Sequence, residues 1–286
     1  MAVCPIRIWG QSPNTPTNQY FGGLAAPLDR NPSVDISSLP PIRGLKYRSC
    51  YFVCPQDSCY AARAIFALLC PEKPGLLRWV SSRAEWFAQW CASEDFDLPS
   101  TAAGRDFTTS SELLGYYIRK IKNSFQAHEC ENTGPDANQQ YALLITPCCR
   151  IGSDLTTFYE ATWFDHLSAS YTVRESYFTV KNEVGEALGL KDIIAEEKIS
   201  ELAELMLRYL KDWSGNPWPA NKETEDPVRF LLSMNGCALL PEGLVIFFHP
   251  YQSAPGVFGQ LTALIPYKEL NGYLKIGFSS IKSTIK

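Results

Sequence analysis

The apolar pattern of this chain changes period near residue 140, and that change bounds the fold. Before it, apolar residues recur at helical spacing. Leu76, Trp79, Val80, Phe87 and Trp90 line one stripe together with Arg83, and Leu114, Tyr117, Ile118, Ile121 and Phe125 line another. Ser110 or Ser111 stands where a hydroxyl can cap the second helix. Tyr60–Leu69 reads as a shorter apolar helix, closed by Pro71 and Pro74. After residue 140, segments rich in Thr, Tyr, Phe and Ile read as strands: Tyr141–Thr146, Leu155–Phe164 and Tyr171–Val180. Asn182–Gly185 supplies a turn. Ile199, Leu202, Ala203, Met206, Leu210 and Trp213 then return to helical spacing, with Glu196 and Glu197 at the start and Lys211 at the end, as the helix dipole favours. Strands are expected near Phe230–Met234, Cys237–Leu240, Leu244–Phe248 and Gln260–Ile265. Asn235-Gly236 and Pro241-Glu242-Gly243 are the expected turns between them.

Tight turns between successive strands imply antiparallel pairing. The expected fold is therefore α+β, an antiparallel sheet packed by helices on one face, with additional N-terminal helices. Residues 1–44 read as an irregular arm, because SPNTPTNQ and SSLPPIRG are rich in Pro, Ser and Asn. Residues 45–135 read as a mostly helical segment packed on the core, and residues 136–286 as an α+β domain.

The chain of 286 residues has a net charge of −4, and its basic residues are scattered, which argues against a nucleic-acid surface. No apolar run approaches the ~20 residues needed to span a bilayer. The first residues do not read as a secretory leader, because Pro5, Gln11 and Pro13 interrupt them. The ten cysteines suit either disulfides in an oxidising compartment or buried thiols.

The C-terminal half carries ordered motifs: His166 before a strand, a turn at Gly185, and Leu190 with Asp192 and Ile193. A helix follows, then Phe230, Tyr251, Ala254-Pro255, Gly259 and Ile265-Pro266-Tyr267. In order and spacing these resemble the C-terminal domain of the anti-sigma factor RsiV, shared with the peptidoglycan deacetylase PdaC. The resemblance covers residues 140–275. Two positions depart from it: Gly256 stands where the family has an aromatic after Ala-Pro, and Phe164-Asp165-His166-Leu167 replaces a glycine-rich histidine loop. The resemblance implies an extracytoplasmic or periplasmic module that binds rather than catalyses, with a lysozyme-like or other cell-wall protein, or a cell-wall ligand, as its partner. A cytoplasmic location is the alternative.

The candidate binding residues are Asp165, His166, His249, Tyr251, Gln252, Pro255 and Phe258. The segment from His249 to Gly259 reads two ways. Its prolines and glycines shape a turn, and its aromatics stand as anchors on a stiff lip. No cofactor, metal site or catalytic residue is expected. Cys50, Cys54, Cys59 and Cys70 lack the paired spacing of common zinc knuckles. Asp165-His166 with Cys148 or Cys149 is the one Cys/His set for a cysteine-dependent hydrolase. An inhibitor or immunity-type protein that plugs a hydrolase cleft is the closer alternative.

Overall fold

The computed structural model describes residues 46–53, 60–70, 73–93, 103–127, 139–166, 170–212, 215–217, 226–249 and 260–275. They form two sheets with helices on one face of each. The first sheet has five strands in the order β1 (Lys46–Val53), β2 (Tyr60–Cys70), β3 (Gln139–Ile151), β4 (Leu155–His166) and β5 (Ser170–Lys181). Its pairs are antiparallel except β2–β3, which is parallel. A parallel pair needs a long crossover. The segment between β2 and β3 supplies it, and it contains helices α1 (Pro74–Ser93) and α2 (Ser110–Ala127).

Tyr60–Leu69, expected as a helix, is thus strand β2. Its Ala- and Leu-rich composition favours helix locally, but the segment pairs with β1 on one side and β3 on the other. Tertiary pairing overrides a weak propensity. The cap of α2 also differs from expectation. Thr109 Oγ1 accepts the Glu112 N–H at 3.1 Å, while the Glu112 carboxylate accepts from the backbone and hydroxyl of Thr108 at 3.1 and 2.9 Å.

Helices α1 and α2 cover one face of this sheet. Trp79 stacks on Phe158 with ring centroids 4.6 Å apart, and Leu77, Phe87, Leu113 and Tyr117 bury around them. Within this layer Arg83 of α1 reaches Glu160 of β4 in a bidentate pair, at 2.6 Å from Nε and 2.5 Å from Nη2. Both side chains are over nine-tenths buried. The guanidinium carbon also lies 4.8 Å from the Trp86 ring centre and 5.1 Å from that of Phe178. The start of α1 abuts the turn after β5 at a pair of glycines. Gly185 has φ +74°, and a Cβ there would sit 2.0 Å from the Gly75 carbonyl oxygen.

The second sheet has four antiparallel strands in the order β6 (Leu210–Lys211), β9 (Leu261–Pro266), β8 (Gly243–Phe248) and β7 (Gly236–Leu240). A one-turn helix, α3 (Leu190–Ile193), precedes α4 (Ile199–Tyr209), and α5 (Pro227–Leu232) precedes β7. Leu202, Met206, Leu239, Ile246, Phe248 and Ile265 share the core beneath them. Two expectations change here. The helix read as running to Trp213 ends at Tyr209, because Leu210 and Lys211 leave it to pair with Ala263 and Thr262. The strand expected at Phe230–Met234 is α5, started by Asp226, whose carboxylate accepts the Arg229 N–H at 2.9 Å, with Pro227 in the first turn. Asn235-Gly236 accordingly leads from a helix into β7 and is not a hairpin turn.

The two sheets meet at the edge of β7. The outward Leu239 N–H donates to Thr179 Oγ1 at 2.8 Å, and the Thr157 hydroxyl donates to the Leu239 carbonyl at 2.7 Å. Thr157 and Thr179 are cross-strand partners in β4 and β5, with hydroxyls 2.9 Å apart. Each hydroxyl has one proton. The Thr157 proton is used on Leu239, so Thr179 donates to Thr157 and the ring of three bonds closes. All three residues are buried.

Two outcomes are expected. Thr179→Val should lower stability by ~1–3 kcal/mol in denaturant titration, because it leaves the buried Leu239 N–H without this acceptor. Arg83→Met should cost more, ~3–5 kcal/mol, by stranding Glu160, and adding Glu160→Leu should recover part of that loss.

Candidate functional site

Strands β7 and β8 bury both of their faces, but β9 does not. Leu261, Ala263 and Ile265 are buried beneath α4 and α5, whereas Thr262, Leu264 and Pro266 alternate with them and stay half-buried. The cause is the limited reach of the first sheet. Its strand β5 brings Tyr177 over Ala238, Leu240, Val245 and Phe247, with Tyr159 and Cys148 packed beside it. Tyr159 and Tyr177 sit 5.3 Å apart, ring to ring. Beyond Tyr177 the cover stops and a cleft opens.

This cleft has a volume of about 220 Å³. Tyr177, Tyr209, Leu240, Val245, Thr262 and Leu264 line it. Its walls are mostly apolar. Lys211 and Asp212 stand beside it, and Asp212 accepts from the Asn216 backbone N–H at 2.9 Å and from its Nδ2 at 3.3 Å. The Thr262 hydroxyl is sealed from solvent and has no hydrogen-bond partner. Tyr209 and Lys211 reach the cleft only because α4 ends at Tyr209 and the chain turns into β6.

The candidate residues read from the sequence are spread out. His249 follows β8. Its backbone N–H donates to Asn235 Oδ1, its Nε2 lies 3.1 Å from Ser176 Oγ, and its ring centre is 5.9 Å from that of Phe247. Asp165 and His166 end β4, opposite Tyr171 and Ser170 of β5. Glu160 is the cross-strand partner of Ser176, so His166 stands six residues farther along, roughly 20 Å at strand spacing. Tyr251, Gln252, Pro255 and Phe258 lie outside the described residues.

Cys148 is the extra residue of a bulge between Pro147 and Cys149 in β3, and the two cysteines serve different clusters. Cys148 packs beside Tyr177 and Val245, whereas Cys149 enters the core beneath α4, its sulfur 3.9 Å from the Leu239 carbonyl oxygen. Cys50 and Cys70 fall at register positions four residues apart on the β1–β2 ladder, and Cys54 and Cys59 lie outside the described residues. Among the described residues no cluster of three or more His, Cys, Asp or Glu side chains is placed to hold a metal ion. No helix among them is long and apolar enough to cross a membrane.

Burial pushes the Cys237 thiol up to about 12, with Asp192 adding to the shift. At pH 8 its thiolate is therefore scarcer by roughly a thousandfold than that of an ordinary cysteine. Cys237 should stay unmodified by iodoacetamide in the native protein at pH 8 and react fully in denaturant, as peptide mass spectrometry would show.

Comparison with known proteins bears on the second sheet first. Residues 191–268, from α3 to just past β9, match the family model described as Protein of unknown function (DUF3298). No curated protein matches the chain. Among solved structures, a member of the DUF3298 family from Bacteroides fragilis aligns with a TM-score of 0.52 at 12% identity, covering 85% of this chain and 98% of that one. A DUF3298 family protein from Pseudomonas aeruginosa aligns at 16% identity with a TM-score of 0.46, covering 82% and 95%. The chain thus carries a DUF3298 domain over residues 191–268, within a fold that the Bacteroides protein shares over nearly its whole length.

Proposed function

We propose that this protein is a non-catalytic binding module of the cell envelope that takes a protein partner, with a lysozyme-like cell-wall hydrolase as the first candidate. The observation that carries the reading is the cleft beside Tyr177 and Tyr209, a preformed and mostly apolar recess. Ligand sites are concave, mostly apolar and fixed in orientation by a few polar groups. The resemblance of residues 140–275 to the RsiV C-terminal domain supplies the class of partner, and the DUF3298 match overlaps the same segment. Two further features favour binding over chemistry. Cys149 points into the core beneath α4, against a backbone carbonyl. The His249 imidazole engages Ser176, itself buried in β5.

The sequence after His249 supplies the candidate anchors of this reading, Tyr251 and Phe258, set among prolines and glycines that limit the ordering penalty on binding. An inhibitor would use the same surface and differ only in consequence.

The test is binding of the purified protein to immobilised lysozyme and other cell-wall hydrolases, with hydrolase activity measured alongside. Tyr251→Ala and Phe258→Ala should each weaken binding by ~2 kcal/mol, about thirtyfold, with unchanged melting. Loss of hydrolase activity on binding would assign the inhibitor role. Failure of every hydrolase to bind, or losses that track unfolding, would overturn the reading.

A further inference from the structure

The fold covers some of its strand edges and leaves one stretch uncovered. We propose that the outer edge of β5, from Tyr171 to Glu175, takes an extended segment of the protein partner as an added strand. The inference rests on the binding reading above and adds the backbone geometry of the contact.

Strand β5 is the last of its sheet. It pairs with β4 without a register shift, from Leu155 opposite Lys181 to His166 opposite Ser170, so its backbone groups alternate strictly between the two sides. The far end of the strand fixes the phase. The Leu188 N–H donates to the Thr179 carbonyl at 2.7 Å, and the Lys181 N–H donates to the Glu186 carbonyl at 2.9 Å, on either side of the bridge between Val180 and Ala187. Odd-numbered residues of β5 therefore turn their N–H and C=O outward. Tyr171, Val173 and Glu175 do so in succession, roughly 7 Å apart. Among the described residues no strand pairs with them.

Elsewhere such groups are covered. On β7 the two threonines complete Leu239, and at the end of β5 Glu186 and Leu188 do the same for Lys181 and Thr179. Between Tyr171 and Glu175 there is neither a proline nor a bulge, two devices that blunt an edge. A row of alternating donors and acceptors at this spacing selects its occupant. An extended chain presents the complementary row. A helix has spent its backbone groups internally, and a sugar has no repeat of that kind. Two copies of this chain joined only over these five residues would fall short of the ~1,200 Å² of a stable interface. A partner strand has more to hold, because the row leads to Tyr177, whose side chain lines the apolar cleft. Strand β1, the other edge of the sheet, lies at its far end, away from that cleft. Backbone bonds to β5 then give affinity, and side chains beside the row give selectivity.

The experiment is amide NMR and hydrogen exchange of the full chain. In the free protein the Val173 and Glu175 amides should exchange as fast as surface amides, while those of Thr172 and Arg174, which face β4, stay protected. The peptide acetyl-Lys-Thr-Val-Thr-Val-Thr-Lys-amide should shift and slow the two outward amides saturably. The same peptide methylated on every backbone nitrogen should not. Glu175→Pro removes one outward N–H and leaves the β4 ladder whole, so it should weaken both this peptide and immobilised lysozyme about tenfold with unchanged melting. Glu175→Ala should leave both unchanged. If the two amides are already slow in the free protein, its own chain covers the edge. If they slow with rising protein concentration alone, a second copy covers it. Either result, or no saturable slowing with the peptide, would overturn the proposal. If the peptide binds and no hydrolase does, the edge stands and the envelope reading falls. If a hydrolase binds wild type and Glu175→Pro equally, the envelope reading stands and the edge falls.

Discussion

The backbone of a single residue, Leu239, ties the two sheets together. Leu239 lies on an edge strand, where the outward N–H and C=O would ordinarily face water or invite another chain. Here they face the other sheet, and Thr157 and Thr179 complete them. The two threonines serve as a substitute strand, one giving a proton and one taking one. Because they sit opposite each other in β4 and β5, the spacing they offer is set by the first sheet. Either sheet shifted by one residue would bring the wrong side chains to the joint and leave buried backbone groups unpaired.

The cleft is a consequence of that joint. With Leu239 fixed over Thr157 and Thr179, Tyr177 is fixed over Leu240 and Val245 two residues farther along β5. The first sheet ends there, since β5 is its last strand, while the second sheet continues through β9 and β6. The uncovered remainder of that face is the recess beside Thr262 and Leu264. The layers behind it are stiff for separate reasons. Arg83 pins α1 to β4 through Glu160, and Gly185 lets the turn after β5 press on the first turn of α1.

Much of the fold was legible. The turns at Asn182–Gly185 and Pro241–Gly243 and the Thr-, Tyr-, Phe- and Ile-rich composition of β3, β4 and β5 all led to the right elements. The misreadings share a cause. Tyr60–Leu69 is locally a good helix and becomes a strand because partners flank it. Phe230–Met234 is too short for periodicity to distinguish helix from strand, and the Asp226-Pro227 start was the signal that went unused. A leucine such as Leu210 is buried whether the helix continues or a strand begins, so its apolar character carried no boundary. The site was less legible. Tyr209 and Leu264 meet through the β6–β9 pairing and Tyr177 comes to them across the Leu239 joint, and no spacing in the chain announces that meeting. His249 was visible as a residue, but its bond to Ser176 spans 73 positions. Glu160 lay inside an apolar strand, and only its pairing with Arg83 explains how it stays there.

Amide hydrogen exchange at Leu239 tests this account most directly. If Thr179 receives that N–H in a buried joint, the Leu239 amide exchanges as slowly as the central amides of β8, through global unfolding. An exchange rate typical of an open edge strand would mean that the sheets are not joined there, and the cleft would lose its physical basis.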